Sequence, residues 1–210
     1  MNSSSKSFED KFISCFSRIL DIDFLKNGAA LGVELEQESL VFNFFSRKIR
    51  FSREGIEDIE GNLLTPAVKY LLCNYLLNFP DPNWERSEGL VTLREIPGSG
   101  PLFSSFTANT GKIIKTSFSG KLKDLKTRSL LLGGEILDNP SFDISLKFFP
   151  FKMVPIILNF NDEDEMMGSS ATFLFQDNAY KYLDLESLSI ITTCLTGLLI
   201  SDETIMIPNL

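Results

Sequence analysis

Hydrophobic positions recur with two periods along this chain, and the change of period marks out its elements. Phe8, Phe12, Phe16, Ile19 and Leu20 fall at helical spacing behind Ser7, a hydroxyl suited to an N-cap. Leu40, Phe42 and Phe44 then alternate with polar neighbours, and Ile49 and Phe51 continue the alternation past Ser46-Arg47. That pattern predicts a hairpin near 39–52, although its turn lacks the usual glycine or asparagine. Thr65-Pro66 gives a hydroxyl cap followed by proline at the first helical position. The helix after it carries Val68, Leu71, Leu72, Tyr75, Leu76 and Phe79 as one stripe, and Pro80 and Pro82 end it.

Leu90 to Glu95 predicts a short strand running into Pro97-Gly98-Ser99-Gly100-Pro101. Helical pieces follow from Leu102 to Ala108 and from Gly111 to Leu132, closed by Gly133-Gly134. In Phe142 to Phe148, residues Phe142, Ile144, Leu146 and Phe148 face one way, and Asp143, Ser145 and Lys147 face the other. Met153 to Phe160 is a mostly apolar strand whose Pro155 requires an edge or a bulge. Asp162 to Glu165 turns the chain, Ala171 to Phe175 returns, and a closing helix covers 185–200. The prediction is an α+β fold: a hairpin near 39–52 and an antiparallel meander near 142–175, packed by helices and covered on one face. One domain over residues 1–210 is expected, with 1–6 disordered.

Composition fits this picture and narrows the chemistry. Nineteen phenylalanines among 210 residues point to a large, ring-rich core. No histidine is present, which removes Ser-His and Cys-His nucleophile pairs, histidine-bound zinc and facial-triad iron. Cys15, Cys73 and Cys194 are an odd, unclustered set, read as reduced and packed thiols of a cytoplasmic protein. The N-terminus lacks a hydrophobic signal core, and Leu188 to Ile200 is too short and too rich in threonine for a membrane span.

The net charge of −8 is unevenly placed. Residues 1–158 hold 19 acidic and 19 basic groups; residues 159–210 hold nine acidic groups and Lys181 alone. The acidic end disfavours nucleic acid and anionic membrane on that side. Lys112, Lys115, Lys121, Lys123, Lys126 and Arg128 face Asp124 alone, so a dipolar molecule is expected, with these six as partner-docking candidates.

Three passages together resemble the bacterial and archaeal domain-of-unknown-function family number 3786. The first is Leu90-Val91-Thr92-Leu93-Arg94-Glu95-Ile96-Pro97-Gly98. The second is Phe149-Pro150 to Phe160 with the acidic run after it. The third is Thr172-Phe173-Leu174-Phe175-Gln176-Asp177 followed by Tyr182-Leu183-Asp184-Leu185-Glu186. Their order and spacing carry the likeness over roughly residues 31–200. The resemblance implies no assigned activity. It implies company in anaerobes, where some relatives carry an attached cysteine-rich iron–sulfur module. This chain has no CxxC, so a cluster-related role would run through a partner.

Other candidate chemistry is sparse. Asp162, Glu163, Asp164 and Glu165 offer carboxylates to magnesium or calcium but lack the ligand spacing of a calcium loop; otherwise no cofactor is expected. Gly98, Ser99 and Gly100 before a helix, with Arg94 beside them, suit a small anion without matching a nucleotide fingerprint. Asp177, Asp184 and Glu186 fit a cap and first turn for the last helix better than an acid/base pair. The leading expectation is a non-catalytic accessory or binding module, docking a protein partner such as an iron–sulfur or metabolic enzyme. The alternatives are a divalent-cation enzyme built on Arg94, the glycine turn and the C-terminal carboxylates, and a small-ligand carrier with a phenylalanine-lined pocket.

Overall fold

The computed structural model describes residues 3–31, 33–45, 47–78 and 89–201. Its elements run α1 (Ser3–Leu20), α2 (Phe24–Ala30), β1 (Glu34–Glu36), β2 (Ser39–Phe44), β3 (Arg47–Ser52), β4 (Gly55–Asp58) and α3 (Pro66–Leu77). They continue with β5 (Leu90–Thr92), α4 (Gly100–Asn109), α5 (Gly111–Phe118), α6 (Leu122–Leu131) and β6 (Glu135–Leu137). The chain ends with β7 (Ile144–Phe151), β8 (Val154–Asn161), β9 (Ser170–Gln176) and α7 (Leu185–Ile200). Short 3-10 turns follow β5 and β9. The fold is α+β, with two antiparallel sheets packed by helices.

The first sheet is a meander ordered β1-β2-β3-β4, and the second is ordered β5-β9-β8-β7-β6. The expected hairpin is present: Leu40 pairs with Phe51 and Phe42 with Ile49, and these four side chains are buried together with Phe44. Its turn explains the missing glycine. Phe45 itself takes the left-handed conformation, at φ 54°, and sets its ring edge-on against Phe44 with centroids 4.9 Å apart. A bulky residue there costs about 1–2 kcal/mol, which ring packing offsets. Arg47 is therefore the first residue of β3 rather than part of the turn. It is buried, and its Nη1 lies 3.3 Å from Asp58 Oδ2 on β4.

The expected meander is also present, but more fully enclosed than the alternation suggests. Residues 154–160 of β8 are all buried, so both faces of this central strand are covered. Ser145, expected on a polar face, is buried and donates to Asn159 Oδ1 at 2.5 Å, while Leu122 and Lys126 of α6 border the same side. Pro155 sits where the β7–β8 register shifts between Phe148 and Phe151, so the missing N–H falls in a bulge.

One core cluster runs through both sheets and all the main helices. Phe151 is its junction. It stacks on Tyr75 of α3 with centroids 4.0 Å apart, and approaches Phe44 and Phe42 of the first sheet at 5.4 and 6.2 Å. Thr65 caps α3 as expected, accepting Val68 N–H at 3.3 Å, and Val68, Leu71, Leu72, Tyr75 and Leu76 are buried. Phe79, Pro80 and Pro82 lie outside the described residues.

Two N-terminal expectations change. The chain is helical from Ser3, so 3–6 continue α1 rather than fray, and Ser7 lies inside the helix instead of capping it. The long helical stretch at 111–132 is two helices, because Ser119-Gly120 breaks it and Gly120 turns at φ 71°. Among the described residues, no helix is long and apolar enough to cross a membrane; α7 is instead a buried core helix.

Candidate functional site

The densest polar chemistry lies where α1, α3 and the start of α7 meet. Asp184 caps α7, accepting Ser187 N–H at 2.7 Å through Oδ1. Its Oδ2 accepts from Tyr70 OH at 2.8 Å and Asn74 Nδ2 at 2.7 Å, both on α3. Asn74 also donates to Ser187 Oγ at 3.0 Å and receives a bond from Asn78. Burial and the Asp184 carboxylate together raise the Tyr70 phenol above its ordinary range. Close by on α7, Glu186 takes both its oxygens to within 2.6 Å of Lys11 Nζ on α1.

Lys11, Tyr70, Asn74, Asn78 and Asp184 line a cleft of about 510 Å³ that also includes Asp10, Ser14, Cys15, Arg18 and Leu77. Cys15 on α1 and Cys73 on α3 are both buried in the packing between those helices. The neighbouring Cys73 thiol lowers the Cys15 pKa against the opposing effect of burial; Arg18 lowers it further and Asp184 raises it. The neighbouring Cys15 thiol and burial push the Cys73 thiol up.

The glycine turn is compact and partly self-satisfied. Ser99 is buried, and its hydroxyl donates to Arg94 O at 3.2 Å instead of facing outward. Leu102 and Phe103 N–H both return to Ser99 O, and Pro101 contributes no N–H. Gly98, at φ 87°, packs toward Leu185 of α7, and Arg94 lies over the Phe103 ring at 5.6 Å. Glu95 closes the preceding turn by accepting Thr92 N–H and O–H, and these bonds hold its carboxyl below the usual range.

The acidic run is a folded loop between β8 and β9. Asp162 Oδ1 accepts Gly120 N–H at 2.6 Å and Glu163 N–H at 2.9 Å, and Asp162 N–H donates to Asp143. Asp164 Oδ1 accepts Met166 and Met167 N–H at 2.7 Å each, which lowers its pKa. Glu163 and Glu165 are exposed. Among the described residues, no three His, Cys, Asp or Glu side chains gather to hold a metal ion.

The bond from Asp162 to Gly120 has a consequence for charge. It sets the acidic loop against the α5–α6 turn, and Lys115 Nζ lies 4.0 Å from where a Cβ on Gly168 would sit. The lysine docking candidates and the acidic run thus share one surface rather than lying at separate ends. Lys112, Lys115, Lys121, Lys123 and Lys126 are exposed there. Arg128 differs from them. Half-buried, it donates to Leu199 O and Ser201 O and ties α6 to the end of α7. Met166 and Met167 stand at the loop tip, 92% and 68% exposed.

The phenylalanine-lined pocket envisaged for a carrier has a counterpart of about 290 Å³ between the sheets. Phe42, Tyr75, Phe149, Phe151, Asn43 and Lys152 are among its lining residues. The cleft centred on Asp184 was only partly legible. Asp184 as a cap follows from its place before an apolar run, but Tyr70 and Asn74 reach it, and Lys11 reaches Glu186, from over 100 residues away.

The order of sequence passages and the strand–loop–strand–helix arrangement at residues 144–200 agree with a match to a known family. The model of the family described as domain of unknown function (DUF3786) covers residues 23–197. The chain belongs to this family. The DUF3786 region starts after α1, so Cys15, Lys11 and Arg18 precede it, while Cys73, Tyr70, Asn74 and Asp184 lie within it. No curated protein and no solved structure matches the chain significantly.

Proposed function

We propose that this DUF3786 protein is a non-catalytic accessory module of the cytoplasm that docks an acidic protein partner, an iron–sulfur or metabolic enzyme of anaerobic metabolism. The observation that carries the reading is the shared surface of α5, α6 and the β8–β9 loop. Five lysines lie exposed there, with no ion pair among the described residues, beside two exposed methionines. Unpaired lysines attract an acidic partner at long range, and flexible methionine side chains supply adaptable apolar contact. Asp162 supports the reading by fixing the loop to Gly120, so the apolar tip and the lysines present together.

Capture under anaerobic conditions tests this. Tagged protein should retain a partner that Lys115→Glu/Lys121→Glu/Lys123→Glu loses and that Arg18→Ala in the α1–α3 cleft retains. A partner retained by the triple variant overturns the reading.

A small-ligand carrier is the second reading, favoured by the 510 Å³ cleft with Arg18 exposed at its border. Native mass spectrometry of the purified protein separates the two: a bound small molecule lost on Arg18→Ala supports the carrier. A divalent-cation enzyme draws less support, because Asp162 and Asp164 already accept backbone N–H bonds.

A further inference from the structure

β7 and β8 join through a tight turn at Lys152-Met153, with Phe151 paired to Val154 at its base. The register shift between Phe148 and Phe151 lies just before that turn. A bulge bends its strand and re-aims the side chains on it. Here Phe151 enters the core against Tyr75 and Phe42, while Phe149 and Lys152 reach the surface at the mouth of the 290 Å³ pocket. That pocket has two unlike ends. Its floor is Leu31, Val33, Phe42, Tyr75 and Phe151, all buried. Tyr75 is the one floor residue with a polar side chain, and its hydroxyl already donates to Leu31 O at 3.1 Å. The floor therefore offers a ligand apolar contact rather than hydrogen bonds. At the mouth, Lys152 is the one charged residue among the described lining, and it makes no ion pair among the described residues. Lys147 adds positive potential beside it, lying over the Phe149 ring at 4.8 Å. The α1–α3–α7 cleft is different in kind, since it sets Asp10 and Asp184 beside Lys11 and Arg18. An apolar floor under a lone cation suits a molecule with one apolar end and one anionic end. The volume is at the small end for ligand pockets, so a single ring fits.

We propose that this pocket binds a small aromatic monocarboxylate, with its ring on the apolar floor and its carboxylate on the Lys152 ammonium and the Asn43 amide. Carboxylate and ammonium pair through charge-assisted hydrogen bonds, and the Asn43 NH2 donates to the second oxygen. A ligand seated there touches β2 of the first sheet, α3, and β7 of the second sheet. Its binding stabilises the junction built on Phe151, because only the folded chain brings those three elements together. The site is separate from the lysine surface of α5 and α6 and from the cleft that holds Arg18, so it depends on neither.

Calorimetric titration of the full chain with phenylacetate, and with 2-phenylethanol as its uncharged counterpart, tests it. Phenylacetate should bind one to one, with a dissociation constant between about 0.1 and 1 mM for a ligand of this size. 2-Phenylethanol should bind about tenfold more weakly, for want of the charged contact. Lys152→Gln, at an exposed turn position, should bring phenylacetate down to the level of the alcohol. Asn43→Trp, also at an exposed position, closes the mouth and should abolish binding, whereas Arg18→Ala should leave it unchanged. Near-ultraviolet circular dichroism checks that each variant is folded. No saturable binding of phenylacetate up to about 10 mM, far above the affinity expected, overturns the proposal. So does equal affinity for acid and alcohol, or binding lost in Arg18→Ala and kept in Lys152→Gln.

Discussion

Asp162 accepts the backbone N–H of Gly120 at 2.6 Å, and that one bond holds the acidic β8–β9 loop against the turn between α5 and α6. Gly120 makes the turn at φ 71°, and a Cβ there would sit 3.5 Å from Glu163 Oε1. Asp162→Ala removes the acceptor and should cost about 1 kcal/mol. Gly120→Ala should cost a similar amount, about 1 kcal/mol, through backbone strain. Urea denaturation gives the size. Hydrogen exchange should show faster exchange at 162–168 in Asp162→Ala while the amides of β8 keep their protection.

Asp184 joins the cap of α7 to α3, and its loss acts on both. Asp184→Ala strips the cap from Ser187 N–H and leaves the Tyr70 hydroxyl without its acceptor, while Asn74 Nδ2 keeps Tyr70 OH and Ser187 Oγ. The expected cost is about 2 kcal/mol, combining a cap of about 1 kcal/mol with one half-buried hydroxyl left unsatisfied. Asp184→Asn keeps a capping oxygen and should cost less than half as much. A chemical denaturation midpoint for each variant checks the ordering; equal losses would show that the cap oxygen is not the stabilising feature.

Phe151 is the ring through which the two sheets meet α3. It is 1% exposed. Phe151→Ala should destabilise by about 4 kcal/mol, and Phe151→Leu by clearly less, because leucine refills much of the volume. Loss of the Tyr75 stack should also alter the near-ultraviolet circular dichroism of the folded alanine variant.

Alkali should unfold the protein with a contribution from a thiol that plays no chemical role. Burial raises the Cys194 pKa from 9.0 to about 12. The folded state therefore holds this proton more tightly than the unfolded chain. The stabilisation is complete below pH 9 and is lost progressively as pH rises from 9 toward 12. Tyr70 and Tyr75, also raised, act in the same direction above pH 10. Denaturant midpoints for wild type and Cys194→Ala should converge as pH climbs through this window; curves that stay parallel from pH 8 to 11 rule the effect out.

The alternation at Leu40, Phe42 and Phe44, the Thr65-Pro66 start and the 185–200 helix were legible because each depends on local periodicity or a local cap. The split at Ser119-Gly120 was not, since glycine inside a helical pattern signals a break only when something stabilises it, here Asp162 from 42 positions away. Burial of Ser145 was hidden for a similar reason: its partner, Asn159, comes from β8. In the candidate site, Arg128 looked like the lysines beside it in sequence. Its carbonyl partners at Leu199 and Ser201 made it a structural tie.

The salt dependence of partner binding tests the docking reading most directly. With the captured partner in hand, the dissociation constant should weaken at least tenfold between about 50 and 300 mM salt, on the order expected for several exposed charge pairs. Lys115→Glu/Lys121→Glu/Lys123→Glu should flatten that dependence, and Met166→Ser/Met167→Ser should weaken binding at every salt concentration without changing its slope. A dissociation constant that is indifferent to salt, and to the three lysines, would contradict the docking function.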